Sequence, residues 1–457
     1  MIKSIIHYSQ LEDRLDAEYY KPEFLEVESC LNKLRITQKL AELACSEQLR
    51  YNPQHEIGII KYLDIANVDL NSGSVTLQLI PRYLAPSRAR RRVNVGDILI
   101  SMVRPNRNAI VLIGDNLKDI VCSTGFTVVK PQKIKAGYLF AFLKTKYAIK
   151  QLTRSTSAVM YPAISEQEVF EIKVPVPDKQ TQDKISDSVK QSINIGTVAN
   201  RKFYEAQNLL YEYLNIRNDK TIPQKTFSIP FSQLEDRLDG EYYRQKSILF
   251  SPIFSNGALP LGKVTSINMG KTPSKTAYTK KGVRILKVRD LTNKGINWTE
   301  NNRAFVTSEA WEKSEKSRVQ KNDILLISAA HQAYYIGKEL DIVFDIPKKY
   351  SNKLSAVAEL LIIRSTEINP YVLLWYLRSP IAYKLIQQQI TGETSHLYPK
   401  DLVNLPIPKI LFDFNKLKQL EQLTKDSILL QKQSKELLES AKLEVEKVIE
   451  GSKNGNC

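Results

Sequence analysis

Cysteine, histidine and long apolar runs are all scarce in this chain. Its four cysteines (Cys30, Cys45, Cys122, Cys457) are scattered, with no Cys-x-x-Cys pair and no histidine at ligand spacing. That pattern argues against a zinc site and gives no sign of a disulfide framework. Four histidines (His7, His55, His331, His396) leave little scope for general-base or metal chemistry. No run of about 18 apolar residues exists for a membrane span. Met1–Ile6 is only an apolar stub before Glu12, Asp13 and Arg14, so no signal peptide is expected. The expectation is a cytoplasmic protein without metal, cofactor or membrane.

Acidic residues are the next deficit. Against 66 Lys+Arg stand 49 Asp+Glu, leaving a formal charge of +17. Such an excess favours a polyanionic partner, of which nucleic acid is the commonest. A solvated basic surface is the alternative. At 457 residues, 42% hydrophobic and 25% charged, the chain reads as two or three folded domains.

What the chain does have, it has twice. Ser9-Gln-Leu-Glu-Asp-Arg-Leu-Asp-Ala-Glu-Tyr-Tyr20 returns as Ser232-Gln-Leu-Glu-Asp-Arg-Leu-Asp-Gly-Glu-Tyr-Tyr243, identical at eleven of twelve positions. Looser echoes follow in order: Tyr62–Val68 with Ile285–Leu291, Gly96–Ser101 with Asn322–Ser328, and Glu168–Pro175 with Asp401–Pro408. The offset drifts only from 223 to 233, which is a tandem duplication of a large module. Each module mixes β-branched runs (Asp97–Ser101, Ala109–Ile113, Thr127–Lys130) with Gly, Asn and Pro punctuation. An amphipathic helix is predicted at about Tyr138–Leu152 and again at Tyr371–Ile390. Pro175-Val-Pro177 and Pro406-Ile-Pro408 then punctuate the chain stiffly. Beyond each lies a coiled-coil seam. One comprises Ile185, Val189, Ser192, Gly196, Ala199, Phe203, Ala206, Leu210 and Tyr213. The other comprises Leu420, Leu423, Ser427, Leu430, Ser434, Leu437, Ala441, Val445 and Val448. Two independent surface helices are the competing reading.

The ordered double occurrence of Arg-Leu-Asp-x-Glu-Tyr-Tyr (Arg14–Tyr20, Arg237–Tyr243) resembles the specificity subunits of type I restriction-modification systems. Met269-Gly-Lys-Thr-Pro-Ser274 ahead of a Leu-Lys-Val-Arg-Asp-Leu segment, and Gly96-Asp-Ile-Leu99, share the resemblance. The first half departs from it at Glu47-Gln-Leu-Arg-Tyr-Asn-Pro53. The resemblance implies an α+β protein. Two tandem homologous target-recognition domains are separated by long helices forming an antiparallel coiled coil, in a pseudo-two-fold arrangement. Its expected bounds are 1–178 for the first domain, 179–220 for a central spacer helix, 221–412 for the second domain, 413–451 for a C-terminal helix and 452–457 for a disordered tail. It implies recognition of a bipartite double-stranded DNA target, one half-site per domain. The implied partners are methyltransferase (modification) subunits, two of them, and restriction/translocase subunits. A specificity subunit serving a fused methyltransferase-nuclease remains an alternative, as do an enzyme with an unrecognised active site and a helical scaffold without DNA binding.

No catalytic constellation is legible. Asn369-Pro-Tyr371 lacks the second proline of an adenine-methyltransferase loop and suits a helix start. Gly270-Lys-Thr272 lacks the upstream glycine of a phosphate-cradling loop. Binding chemistry remains. Arg82, Arg88, Arg90, Arg91 and Arg92 form a dense run, and Arg104, Asn106 and Arg107 follow the next strand. The second half offers Lys271, Thr272, Ser274 and Lys275, then His331, Gln332, Tyr334 and Tyr335. Tyr161 and Tyr398, beside prolines, are candidates for resting on sugars or bases, with core packing as the alternative. Arg and Lys suit phosphates, whereas Arg, Asn and Gln can also address base edges.

Overall fold

A computed structural model describes the chain except at 1–5, 7, 9–10, 13, 47–50, 53–56, 157–161, 217–227, 229, 235–242, 244–251, 351–352, 391–394 and 452–457. It divides into two compact units: Met1–Val198 with Leu430–Cys457, and Ala199–Leu429. The fold is α+β, with β-rich bodies and two long helices packed together.

In the first unit the strands are β1 (Ala44–Cys45), β2 (Ile59–Leu63), β3 (Gln78–Pro81), β4 (Ala89–Val93), β5 (Ile98–Ser101), β6 (Ile110–Leu112), β7 (Ile120–Ser123) and β8 (Phe126–Pro131). They form two four-stranded sheets, ordered β1-β8-β5-β6 and β3-β2-β7-β4. Every pairing is antiparallel except β2 with β7. The central strand β5 shows why its sequence is apolar without alternation. Ile98 and Ile100 face the helices, while Leu99 faces the second sheet, so both surfaces are dry. Around them stand α1 (Pro22–Asn32), α2 (Ala136–Leu143), α3 (Lys146–Arg154) and the long α4 (Lys179–Tyr213). In this unit α4 runs antiparallel to residues 430–451, with Lys184 Nζ 3.1 Å from Glu444 and the Ser192 hydroxyl donating to Ser434 O at 2.6 Å.

The second unit repeats the plan. Its strands are β9 (Thr265–Met269), β10 (Tyr278–Thr279), β11 (Val283–Leu286), β12 (Phe305–Val306), β13 (Arg318–Val319), β14 (Ile324–Ile327), β15 (Leu340–Ile342), β16 (Leu354–Ala356) and β17 (Leu360–Ser365). The sheets run β9-β17-β14-β15 and β10-β12-β11-β16-β13, with β11 and β16 parallel. Ile324 and Leu326 face the helices and Leu325 and Ile327 the other sheet, as in β5. The helices are α5 (Pro370–Arg378), α6 (Pro380–Gln389) and α7 (Phe414–Gly451). Here α4 and α7 meet through Ser427 Oγ donating to Ala199 O at 2.9 Å and Lys202 Nζ to Asp426 at 2.9 Å.

The shared Gly/Asn-Asp signature is a turn requirement. Gly96 and Asn322 both have positive φ (92° and 70°), tolerated by Gly and Asn. Each is followed by an aspartate whose carboxylate accepts an N–H three residues back, Asn94 for Asp97 and Gln320 for Asp323, both at 2.7 Å. The repeated Arg-Leu-Asp segment is structural in its first copy. Arg14 donates to Ser155 O and Thr156 O at 3.2 and 3.3 Å, satisfying carbonyls just beyond α3. Most of the second copy lies outside the described residues.

Three expectations need correction. The single helices expected at Tyr138–Leu152 and Tyr371–Ile390 are each broken, at Lys144–Thr145 and at Ser379. Thr145 and Ser379 are extended N-cap residues, and Pro380 cannot continue α5. Nor are α2 and α5 amphipathic, since Tyr138–Leu143 and Tyr371–Leu377 are buried throughout. Second, the α7 seam is shifted at alternate steps. Thr424, Gln431, Leu438 and Ile449 are buried, while Leu423, Leu430, Leu437 and Val448 flank it half-covered. The Thr424 hydroxyl accepts from Trp375 Nε1 at 2.7 Å and donates to Leu420 O, so a polar residue takes the deep position. Third, the proline segments also pair: Lys173–Pro175 lies antiparallel to Thr37–Lys39, and Pro406–Pro408 to Ala258–Pro260. Two-stranded ribbons leave positions where proline's missing N–H costs nothing.

Candidate nucleic-acid interface

Loops carrying the candidate residues are anchored alike in both units. After β5, Val103 bridges Ala163 and Arg104 N donates to Pro162 O at 2.7 Å. Arg104 (φ 50°) and Asn108 (φ 60°) bracket a tight turn, Pro105–Arg107, that exposes Asn106 and Arg107 and leaves Arg104 half-buried. Lys144 Nζ donates to Asn108 O at 3.0 Å, and Asn108 Nδ2 returns a bond to Lys144 O at 3.3 Å. After β14, Ala329 bridges His396, and Leu397 N donates to Ser328 O at 2.8 Å. Gln387 Nε2 holds Ala333 O and Ile336 O, and the Tyr383 hydroxyl donates to Tyr334 O.

The bridge gathers an exposed aromatic group in the second unit. Tyr334 and Tyr335 have ring centroids 4.0 Å apart, and Tyr398 stacks near His396 at 6.0 Å. His331 and Gln332 are exposed beside them. Tyr161 lies outside the described residues. Lys271, Thr272 and Ser274 line a cleft of about 440 Å³, closed on its other side by Thr307, Trp311 and Lys313. Lys275 is exposed on the same loop. The glycine before this loop has a packing cause. A Cβ on Gly270 would lie 2.0 Å from Val357 O.

The arginine run divides by role. Arg88 is exposed, and its carbonyl accepts from Thr124 N. Met102 N bonds Gly125 O, so the turn at 124–125 joins this run to the Arg104 loop. Arg91 turns inward, its side chain 12% exposed, donating to Phe126 O and to Glu166 at 3.3 Å. Arg82 donates to the Tyr51 hydroxyl, the Arg92 guanidinium sits 4.3 Å over the Tyr51 ring, and Arg90 Nη1 donates to Asn52 Oδ1 at 2.7 Å. Tyr51 and Asn52 are organising residues that sequence reasoning missed. Their only signal is their place in the segment where the two halves diverge.

Asn369 of the Asn-Pro-Tyr segment caps α5, its Oδ1 accepting from Tyr371 N at 2.9 Å and Val372 N at 3.4 Å. Among the described residues no group of His, Cys, Asp and Glu is placed to hold a metal ion, and no helix is long and apolar enough to cross a membrane.

Residues 86–227 match the family described as the type I restriction modification DNA specificity domain. The type I restriction enzyme HindI specificity subunit of Haemophilus influenzae is 28% identical over 135 residues, 28% of this chain and 29% of the relative. The MjaVIII specificity subunit of Methanocaldococcus jannaschii is 24% identical over 188 residues, 39% of this chain and 43% of the relative. The chain thus spans less than half the length of each of these curated relatives. Among solved structures, the type I restriction-modification S subunit from M. genitalium aligns over 90% of this chain and 95% of its own, at 11% identity and TM-score 0.48. The HsdS subunit from Thermoanaerobacter tengcongensis aligns over 91% and 96%, at 19% identity and TM-score 0.34. The matched segment, 86–227, is thus similar to a DNA specificity domain. Over the matched stretches the chain is similar to specificity subunits of type I restriction enzymes.

Proposed function

We propose that each unit reads one half of a bipartite duplex target, and that the chain brings methyltransferase subunits, two of them, and restriction/translocase subunits to that site. It contributes no active site of its own and works in the cytoplasm, where the DNA is. In this reading residues 1–178 and 221–412 are the target-recognition domains, and the helical segments 179–220 and 413–451 are spacers.

The observation that carries this reading is one frame presenting two unlike loop sets. The bridges Val103–Ala163 and Ala329–His396 match, and so do the sheet orders apart from the added edge strand β10. The loops they hold differ: Arg104-Pro-Asn-Arg107 in one, His331-Gln-Ala-Tyr-Tyr335 in the other. Arg104, Asn106, Arg107 and Gln332 are the candidates for base edges. Arg82, Arg88, Arg90, Lys271, Thr272, Ser274 and Lys275 suit phosphates, and Tyr334, Tyr335 and Tyr398 suit sugars or bases. Arg91, already bonded inward, supports β4.

The test is binding to duplexes with one half-site scrambled at a time. Arg104→Ala with Arg107→Ala should weaken recognition of one half-site only, and Gln332→Ala with Lys271→Ala that of the other. A bidentate base contact accounts for about 1–3 kcal/mol of discrimination. Equal losses on both half-sites from either pair would sink the one-unit, one-half-site reading.

A further inference from the structure

Several large apolar side chains of the first unit are exposed, and one group of them surrounds the turn after β3. Tyr83 and Leu84 are 76% and 61% exposed in the tight turn Arg82–Leu84 that follows β3, an edge strand. Ile59 and Leu79, also exposed, lie on the adjoining pair, where Ile59 faces Pro81 and Lys61 faces Leu79. Arg82 N donates to Gly58 O, which fixes the turn against the start of β2.

The second unit shows that the frame does not demand this exposure. There β12, the neighbour of β11 as β3 is of β2, is covered by β10 and leads into the helical turn Ser308–Glu312. Its aromatic residue, Trp311, is half-buried, donates from Nε1 to Leu354 O at 2.9 Å and lies 4.3 Å from the Arg318 guanidinium. An aromatic side chain can therefore fold inward from this place. Tyr83 and Leu84 do not.

An exposed apolar edge alone would suit another protein chain. The charge around this one selects differently. From Asn71 to Gly96 the sequence contains five arginines and no aspartate or glutamate. Arg82, which opens the turn, and Arg92, from the far edge strand β4, converge on Tyr51, and Arg90 is held by Asn52, so the turn's own guanidinium group is fixed next to the apolar tip and tied to the rest of the run. Apolar side chains flanked by phosphate-binding arginines are what a protein needs to enter a base step and kink a duplex. We infer that Tyr83 and Leu84 form a wedge that inserts at a base step of double-stranded DNA, unstacking it while the surrounding arginines grip phosphates on either side. The inference rests on the DNA-recognition reading and adds to it a distortion made by the first unit alone.

The experiment uses the native complex, with whatever subunits accompany the chain, and duplexes it enriches from a random-sequence pool. 2-Aminopurine is placed at successive positions of an enriched duplex, and bending is read from gel mobility of circularly permuted fragments. The unmodified protein should brighten 2-aminopurine at one step within one half-site and show position-dependent retardation. Tyr83→Ser with Leu84→Ser should bind roughly ten-fold more weakly and lose both signals at saturating protein, with its circular dichroism unchanged. Arg88→Ala should also bind more weakly yet keep both signals once saturated. Persistence of the bend and the brightening in the double variant overturns the wedge and leaves DNA recognition standing. So does unchanged DNA binding with loss of an accompanying subunit, which would make the tip a protein-docking site. Failure to enrich any duplex overturns the DNA reading and the wedge together.

Discussion

The two units solve one local problem with different charges. Each breaks its central helix pair at an elbow, and each buries a cation there to hold main-chain carbonyls of neighbouring loops. In the first, Lys144 Nζ donates to Leu70 O and Asn108 O, both at 3.0 Å. In the second, one guanidinium nitrogen of Arg378 donates to Asn293 O at 2.8 Å, Leu340 O at 2.9 Å and the Asp341 carboxylate at 2.9 Å. Asp341 also accepts the N–H groups of Thr292, Asn293 and Gly295 at 2.6 to 2.9 Å. The second unit thus neutralises its elbow with a buried ion pair. The first relies on carbonyl dipoles, and burial pushes the Lys144 pKa down to about 7, against a partial upward pull from Asp69. A duplicated frame therefore conserves the need for a donor at the elbow while leaving its counter-charge free to vary.

Breaking the pair should have the largest effect. Asp341→Asn leaves the Arg378 charge buried without its carboxylate and weakens three amide bonds. Removing one partner of such a pair costs about 3–5 kcal/mol. Native-state hydrogen exchange should show protection lost around Thr292–Gly295, while α1 in the first unit is unaffected. Undiminished protection at those amides would mean that the pair does not hold the loop.

Lys144 makes the contrast testable by pH. Its folded-state pKa lies below the unfolded value of 10.5, so between about pH 7 and 10.5 the unfolded chain binds more protons at this site. The first unit should therefore gain stability as pH rises through that window, with a slope approaching about 1.4 kcal/mol per pH unit from this one group. It should lose that gain as pH falls towards 7. Lys144→Met keeps the stem and removes the titration. Urea midpoints at pH 7, 8 and 9 should then rise less steeply in the variant than in the parent chain. Parallel lines would show that Lys144 stays protonated in both states.

Much of this frame was legible in the sequence, because local rules and the tertiary structure agree there. The duplication and the apolar strands follow from repetition and β-branching, whereas the positive φ at Gly96 and Asn322 is seen only in the structure. The α4 seam from Ile185 to Leu210 follows the sequence pattern except at the half-covered Phe203, since its small and apolar residues are also its facing residues. The α7 seam departs from the sequence pattern at Leu423, Leu430 and Leu437, where hydrophobicity does not coincide with depth. Thr424 lies deeper because it can accept from Trp375, a contact set by the chain's distant folding. The elbows were missed because fully buried helices show no polar face to mark where one ends. The candidate interface was legible as a charge excess and a set of loop residues, without their arrangement. Nothing local says that Arg91 turns in towards Glu166 while Arg90 is held by Asn52, or that Tyr51 is the hub of Arg82 and Arg92.

The finest difference between the elbows is the residue that opens the following helix. In the second unit Ser379 caps α6, its hydroxyl accepting from Ala382 N at 3.2 Å, and Pro380 takes the first helical position. In the first unit Thr145 stands at the cap and Lys146 takes proline's place. Thr145 already has the extended backbone (φ −77°, ψ 161°) that a following proline requires, and an N–H at the first helical position has no intrahelical acceptor to lose. Lys146→Pro should therefore be accepted by the first unit. It loses an exposed ion pair to Glu450, 2.9 Å long, of a kind contributing about 0–1 kcal/mol. It restricts the unfolded chain by about 0.4–1 kcal/mol in the opposite sense. The two nearly cancel, so the urea midpoint should stay within about 1 kcal/mol of the parent's. The same substitution one turn later, Ile149→Pro, removes the N–H that bonds Thr145 O at 3.1 Å and should cost about 3 kcal/mol or more. If Lys146→Pro were as damaging as Ile149→Pro, the two elbows would not share the backbone path that makes them comparable.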